Sequence, residues 1–161
     1  MKITSILVLS TMLIFAVSCN KMKIKKNCCK ETATVTPANY NSDSISLIFP
    51  NIFTPNGDMI NDRLEINKKY ITSIDAKVFK RNKLLHSWTD LDGYWDGRSN
   101  GKKSRAGMYR YEITLTTING ETLQVESELC LLRTYVEGGD SYDNCVPPTN
   151  NIDYAITREG L

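Results

Sequence analysis

The stretch YRYEITLTTINGETLQVESELCL, residues 109–131, decides the fold class. Apolar and polar side chains alternate over Tyr109–Thr116 and again over Leu123–Leu131. A period of two is typical of β-strands with one buried face and one wet face. Between the two segments, Asn119-Gly120 provides the pair that a type I′ turn needs, because both central residues of that turn take positive φ. The sequence therefore predicts an antiparallel hairpin.

Shorter segments upstream repeat this pattern. Ile74–Val78 alternates in the same way, and Arg81-Asn82-Lys83 predicts a turn before a strand at Leu84–Trp88. Ile45–Phe49 and Arg63–Ile66 are predicted as further short strands, and no segment has a sustained helical period. Several short strands separated by turn signals predict an all-β sandwich or barrel over residues 45–133.

Composition and charge exclude several classes of function. The chain has 161 residues, 41% hydrophobic and 24% charged, which fits one globular domain. Its net charge of +2 excludes a strongly basic nucleic-acid-binding protein. The sequence has no P-loop, no dinucleotide fingerprint and no metal-ligand spacing, and its only histidine, His86, lies on a predicted strand away from any nucleophile elbow. We expect a protein that is not an enzyme and that uses no cofactor, metal or nucleic acid.

The N-terminus has the pattern of an export signal. Met1-Lys2 is followed by an uncharged apolar run over Ile3–Val17, which is short for a membrane span of about 20 residues. Residues 1–18 are therefore predicted to be a signal peptide, with an uncleaved anchor as the alternative. Cys19 follows Ala16-Val17-Ser18 and so resembles the lipid-attachment cysteine of a bacterial lipobox, although ordinary signal peptidase would cut the same bond. Asn20 is not an acidic retention signal, so we expect the periplasmic leaflet of the outer membrane.

Residues 19–44 are predicted to be a flexible, polar tether without periodicity. Its first part is basic and contains no acid. Lysines next to a lipid anchor attract anionic headgroups by about 1 kcal/mol each, whereas the alternative is a solvated linker that happens to be basic. The lysines are Lys21, Lys23, Lys25, Lys26 and Lys30.

The sequence FPNIFTPNGD at residues 49–58, with further short motifs in order behind it, resembles the gliding motility-associated C-terminal domain, the type B sorting domain of type IX secretion. The resemblance covers about residues 48–133. It implies an immunoglobulin-like β-sandwich of about seven short antiparallel strands, which the export machinery reads and which often attaches cargo at the cell surface. Met59 stands where the family usually has glycine, and 28 residues follow Arg133. The matching residues are Thr54, Pro55, Asn56, Gly57, Asp58, Asn61, Asp62, Trp95, Asp96, Gly97, Gly107, Tyr109, Leu131, Leu132 and Arg133.

Two motifs have both a binding and a structural interpretation. Asn56, Asp58, Asn61 and Asp62 place four oxygen-bearing side chains within seven residues, which would suit calcium. We favour a loop in which these side chains accept hydrogen bonds from their own backbone.

Trp95, next to Tyr94, would suit a sugar platform. We favour a core tryptophan followed by a tight turn at Asp96-Gly97.

The cysteines fit an oxidising compartment. If Cys19 is acylated, Cys28, Cys29, Cys130 and Cys145 remain. Alternation places Cys130 on the wet face of its strand, so we predict a Cys130–Cys145 bridge. A rival pairing joins Cys28 or Cys29 to Cys145, and a third possibility leaves Cys28 and Cys29 free or bound to a partner chain.

The predicted bridge would fasten the acidic tail, residues 134–161, to the sandwich. Ile152–Ile156, within that tail, resembles a further strand that would add to a sheet edge.

Together these features predict a non-enzymatic, lipid-anchored module of the cell envelope with a structural or protein-interaction role linked to type IX export. Its expected partners are the membrane, through the lipid anchor, and envelope proteins. The alternatives are a minimal type IX cargo displayed at the cell surface and a carbohydrate-binding accessory module.

Overall fold

The computed structural model describes residues 28–29, 33–40, 45–133 and 145–148. The predicted signal peptide, the lipid-attachment residue Cys19 and the predicted strand at Ile152–Ile156 lie outside these residues. Within them, no helix is long and apolar enough to cross a membrane.

The described chain is built from strands, as predicted, and contains no helix. There are ten strands rather than about seven, because several two- and three-residue strands have no alternation that the sequence could show. They are β1 (Thr34–Thr36), β2 (Ser46–Ile48), β3 (Ile52–Phe53), β4 (Asn67–Lys69), β5 (Ile71–Lys80), β6 (Lys83–Trp88), β7 (Arg98–Ser99), β8 (Lys102–Lys103), β9 (Gly107–Thr117) and β10 (Thr122–Leu131).

Six of the strands form the main sheet, in the order β1-β10-β9-β5-β6, with β3 paired to β10. The pairs are antiparallel except that of β3 with β10, which is parallel. Two small sheets, β2-β4 and β7-β8, complete the architecture. The all-β prediction is thus confirmed, with one parallel pair where only antiparallel pairs were expected.

The core lies on one face of the main sheet. Period-two alternation buries every second side chain of β9 and β10, from Tyr109 to Leu115 and from Leu123 to Leu131. Leu64, Ile66 and Trp95, from the segments opposite, pack into the same cluster. The result is a sandwich-like arrangement in which the small β2-β4 sheet and the loops beside it cover the larger sheet.

The turn between β9 and β10 differs from the prediction. Thr117 N–H donates to the Glu121 carbonyl at 2.9 Å, so three residues form the loop instead of two. Of these, only Gly120 has positive φ, at 82°. A three-residue loop with glycine in the left-handed position fits a hairpin that ends in a bulge. The type I′ prediction is wrong because Asn119 does not need positive φ in the longer loop.

The strand predicted at Arg63–Ile66 is also displaced. Leu64 makes only an isolated bridge, with its backbone N–H and carbonyl both bonded to Trp95. The regular pairing begins at Asn67, opposite Ile48 of β2. Pairing to Trp95 positions Leu64 in the core. Because Trp95 is distant in sequence, the residues around Leu64 could not predict this contact.

The tether prediction is wrong for part of its range. Thr34–Thr36 forms β1 and pairs with Gln124–Glu126 of β10. Cys29, further upstream, is buried. Polar composition suggested a coil, but a strand at a sheet edge needs only backbone groups to pair.

The predicted Cys130–Cys145 bridge is wrong. The structure contains Cys28–Cys130 and Cys29–Cys145, so the rival pairing to Cys145 is confirmed through Cys29, and Cys28 and Cys29 are not free. Cys130 does lie on the face opposite to Leu129 and Leu131, yet it is fully buried, because the two disulfides and Ile52 and Leu132 cover it.

Candidate functional surface at the closing strand

The loop at residues 54–62 holds its shape through its own polar side chains. Asn56 Oδ1 accepts from the Asp58 N–H at 3.0 Å, and Asp58 Oδ1 accepts from the Ile60 N–H at 2.8 Å. These are the predicted Asx-turns. Both carboxylate oxygens of Asp62 accept backbone N–H groups, from Gly57 at 2.7 Å and from Met59 at 2.8 Å.

The calcium interpretation has little support from this geometry. The carboxylates of Asp58 and Asp62 already accept backbone N–H groups, and Asn56 Nδ2 points toward Asp58 Oδ2 at 2.9 Å. An amide donor aimed at a carboxylate occupies the position that a cation would take. Within the described residues no group of three or more His, Cys, Asp or Glu side chains could hold a metal ion.

The backbone at Met59 takes a conformation that favours glycine, the residue usual at this position in the family that the sequence resembles. Its φ is 71°, in the left-handed region, and its side chain is 95% exposed. A side chain in this region costs about 1–2 kcal/mol through the clash of Cβ with the following carbonyl oxygen. Met59 gains no packing in return.

Trp95 is a core residue and not a sugar platform. It is fully buried, its ring centroid lies 5.2 Å from those of Phe53 and Tyr109, and Nε1 donates to the Arg98 carbonyl at 2.6 Å. Tyr94 is 36% exposed and stacks under Arg63. The two aromatic residues point in different directions, so the platform interpretation is wrong and the core interpretation is confirmed.

Arg133 joins three motifs that are far apart in sequence. Its Nη1 donates to the Pro55 carbonyl at 2.6 Å, Nη2 to the Gly97 carbonyl at 2.6 Å, and Nε to the Ser104 carbonyl at 2.8 Å. Burial lowers the pKa of the Arg133 guanidinium, which nevertheless stays charged at any physiological pH. We call Pro55, Trp95, Gly97, Tyr109 and Arg133 the motif junction.

At position 97 of the motif junction only glycine fits. Its φ is 73°, and an added Cβ would lie 2.8 Å from Pro55 Cγ and 2.9 Å from Arg133 Nη2. Glycine in the Trp95-Asp96-Gly97 motif therefore lets the backbone come close enough to bond to the Arg133 guanidinium. Neither composition nor periodicity shows this role, and its only sequence signal was the resemblance that linked Gly97 and Arg133.

The closing strand, β10, is paired along both edges. One edge carries β9 over its whole length. The other carries β1 at residues 124–126 and β3 at Cys130 and Leu131. After the strand, the Leu132 N–H donates to the Phe53 carbonyl at 3.1 Å.

The segment at residues 145–148 lies against this strand. Cys145 is bonded to Cys29, and the neighbouring Val146 exchanges two hydrogen bonds with Asn51: its carbonyl accepts the Asn51 N–H at 2.9 Å, and its N–H donates to Asn51 Oδ1 at 2.8 Å. The Asn51 carbonyl in turn accepts the Cys130 N–H. Asn51 therefore connects the closing strand to the segment behind it, a role that no pattern in the sequence indicates.

Sulfur atoms fill the outer face at this end of β10. Met108 and the disulfides Cys28–Cys130 and Cys29–Cys145 pack with Ile52 and Leu132. Met108 Sδ lies 3.0 Å from Cys130 Sγ. We call this group the outer sulfur cluster.

The single histidine has a structural contact. His86 Nε2 lies 3.0 Å from the Tyr94 carbonyl oxygen, and its ring packs 5.7 Å from that of Trp88. Like Asn56, Asp58 and Arg133, His86 thus contacts the backbone of a loop.

The family follows from comparison with known proteins. The model of the CHU_C type IX secretion signal domain matches residues 47–127, just over half of the chain, and the chain belongs to this family. No curated protein and no solved structure matches it. The family is one of secretion-signal domains rather than of enzymes, and it links the protein to type IX secretion and gliding motility, at the cell envelope or outside the cell.

Proposed function

We propose that this protein is a non-enzymatic module of the cell envelope, anchored by lipid on Cys19 in the outer membrane on its periplasmic side, with a structural or protein-interaction role beside the type IX system. The observation that carries this proposal is the closed state of β10, whose two edges are paired with β9, β1 and β3.

A free strand edge is what a partner needs to read a strand by backbone pairing. Here a partner strand could pair along the length of β10 only after it displaced β1 from residues 124–126 and β3 from residues 130–131. The Cys28–Cys130 and Cys29–Cys145 disulfides oppose that displacement, because they fix the chain before β1 and the chain after β10 to the same place. A closed sorting domain suits a protein that stays in the envelope and presents its folded surface.

The position of Cys28 supports a short distance between the domain and the proposed anchor. Cys28 is bonded to the sandwich, and nine residue steps separate it from Cys19. Nine steps reach at most about 30 Å when fully extended. The domain would therefore sit against the membrane instead of at the end of a tether that runs to residue 44.

Replacement of the lipid-attachment residue tests the anchor. Cys19→Ala is expected to abolish fatty-acid labelling and to let a high-salt wash release the protein from membranes, while the matched variant Ser18→Ala keeps both the label and the attachment. If unlabelled Cys19→Ala protein resists the high-salt wash, the apolar segment is an uncleaved anchor and the lipoprotein proposal is wrong.

A second candidate function, a minimal type IX cargo at the cell surface, is favoured by the family match itself. Protease added to intact cells separates the two functions: a periplasmic module survives, and surface cargo is degraded. The variant Cys29→Ser/Cys145→Ser frees the following segment while Cys28–Cys130 remains. If this variant reaches the surface and the parent does not, the fastened segment at residues 145–148 blocks export. Equal behaviour of both proteins would remove that segment as the reason.

A further inference from the structure

We propose that one end of the sandwich docks on anionic phospholipid headgroups through a group of exposed cations, which we call the basic rim. This inference rests on the proposed function, because it takes the membrane that carries the anchor as the surface bound. The rim consists of Lys80, Arg81, Lys83, Lys102, Lys103 and Arg105.

Two hairpin tips supply most of the rim. Lys80 and Lys83 face each other across the β5–β6 hairpin, with Arg81 in the turn between them at a φ of 55°. In the β7–β8 hairpin, Lys102 and Lys103 pair with Ser99 and Arg98. Ser99 Oγ donates to the Leu85 carbonyl of β6 at 3.3 Å, which holds the second hairpin beside the first.

Tyr109 connects the two tips. Lys80 Nζ lies 3.0 Å from the Tyr109 hydroxyl oxygen and 4.3 Å from the ring centroid, and the hydroxyl donates to the Arg105 carbonyl. Arg105 lies two residues after the end of the β7–β8 hairpin, and Gly107, two residues later, opens β9. The rim is therefore continuous from the tip of one hairpin to the base of the other.

Most of the positive charge in the rim is available to a partner. Arg81, Lys83, Lys102, Lys103 and Arg105 are exposed and form no ion pair with any acid that the structure describes.

Carboxylates at the same end of the sandwich are already engaged. Asp96 accepts the Arg98 N–H and pairs with the Arg98 side chain at 3.5 Å. Asp58 and Asp62 accept backbone N–H groups within their own loop. Backbone N–H groups do not neutralise Asp58 and Asp62, but the six cations of the rim outnumber these two carboxylates, so the net charge at this end is positive.

The chain enters the domain at this same end, and this makes a lipid surface the fitting partner. Cys28 is bonded to Cys130, which pairs with Met108, one residue from the start of β9. The proposed lipid at Cys19 is at most about 30 Å of chain away. Screening confines the attraction to about 8 Å at physiological ionic strength, and a segment this short lets the rim come within that distance of the headgroups.

Vesicle binding by the mature chain without its acyl groups tests the rim directly. The protein is residues 19–161 with Cys19→Ala, mixed in about 0.15 M salt with phosphatidylcholine vesicles that contain or lack about one-third phosphatidylglycerol. We expect binding only to the anionic vesicles. Each removed cation is expected to weaken that binding about fivefold, so Lys83→Gln/Lys103→Gln lowers the affinity about 25-fold.

A matched control separates position from total charge. Lys68→Gln/Lys69→Gln removes the same charge at the opposite end of the sheet. These lysines lie next to Tyr70, whose backbone carbonyl accepts the Ile118 N–H beside the β9–β10 turn. The control is expected to change affinity less than twofold. If both double variants lose affinity equally, or if the parent binds neutral vesicles as tightly as anionic ones, the rim is not a lipid-docking surface.

The two proposals fail by different measurements. Absence of fatty-acid label on Cys19 overturns the anchor and leaves the vesicle result standing. Loss of selectivity for anionic vesicles overturns the rim and leaves the anchor standing. Equal urea midpoints of parent and variants exclude misfolding as the cause of lost binding.

Discussion

The two faces of β10 are buried in different ways. On the inner face, Leu123, Val125 and Leu129 pack into a core with aromatic residues from the family motifs. On the outer face, Cys130 is buried under two disulfides and the chain segments that they bring in. The inner face follows local alternation, whereas the outer face depends on residues about 100 positions away. The comparison shows one strand stabilised by the shared fold on one side and by features particular to this chain on the other.

The largest loss of stability is expected from removal of both disulfides, which cover the outer face of β10. The bridges close loops of 102 and 116 residues, but Cys28 and Cys29 are adjacent. Once one bridge exists, the other closes only the 145 − 130 = 15 residues between Cys130 and Cys145. In the chain-entropy model the first bridge contributes about 5 kcal/mol and the second about 3 kcal/mol.

We therefore expect Cys28→Ser/Cys130→Ser, or Cys29→Ser/Cys145→Ser, to lower the free energy of unfolding by about 3 kcal/mol, and loss of all four cysteines to lower it by about 8 kcal/mol. Urea unfolding of the three variants measures this non-additivity. Equal, additive losses of about 5 kcal/mol for each bridge would show that the two bridges act independently.

On the inner face, the largest loss of stability is expected from substitution of Trp95. Trp95→Ala leaves a cavity between Phe53 and Tyr109 and is expected to cost about 4 kcal/mol, as large-to-small core substitutions do. Tyr94→Ala, next to it and partly exposed, serves as the control and is expected to cost less than about 1 kcal/mol. Denaturant unfolding with the disulfides intact compares the two. Similar costs would mean that Trp95 is not the centre of this core.

Arg133, two residues after the end of β10, holds the segments at Pro55, Gly97 and Ser104 together. Arg133→Met removes three hydrogen bonds from a charged donor to the carbonyls of Pro55, Gly97 and Ser104. We expect a loss of about 3 kcal/mol, since hydrogen bonds to charged groups contribute about 1.5–3 kcal/mol each and do not add fully. Arg98→Met, which breaks a half-exposed ion pair, is expected to cost at most about 1 kcal/mol. A similar loss in both would reduce Arg133 to an ordinary surface cation.

The smallest expected change is a gain. Met59→Gly removes an exposed side chain from a residue at φ 71°. We expect stabilisation by about 0.5–1 kcal/mol, because relief of the left-handed strain exceeds the added entropy of glycine in the unfolded chain. Met59→Ala keeps the strain and is expected to change little. If Ala stabilises as much as Gly, the exposed methionine side chain is the cause instead of the backbone.

Sequence reasoning worked where structure depends on near neighbours. The alternation over β9 and β10, the β5–β6 turn and the Asx-turns of Asn56 and Asp58 were all predicted. It failed where a polar segment acquires structure through a distant partner, as Thr34–Thr36 does against β10. It also failed at Cys130, because alternation gives the side of a sheet on which a residue lies but not what covers that side.

The sequence by itself determined an all-β domain, the inward face of its long strands and its family, because period-two burial and short motifs are local properties of the chain. Only the tertiary structure decided which cysteines pair, which segments close the edges of β10, and that Arg133 joins Pro55 to Gly97. Those contacts join residues from 36 to 116 positions apart. These residues come together because of how the whole sheet packs over its core. The residue types within any one segment do not determine that packing.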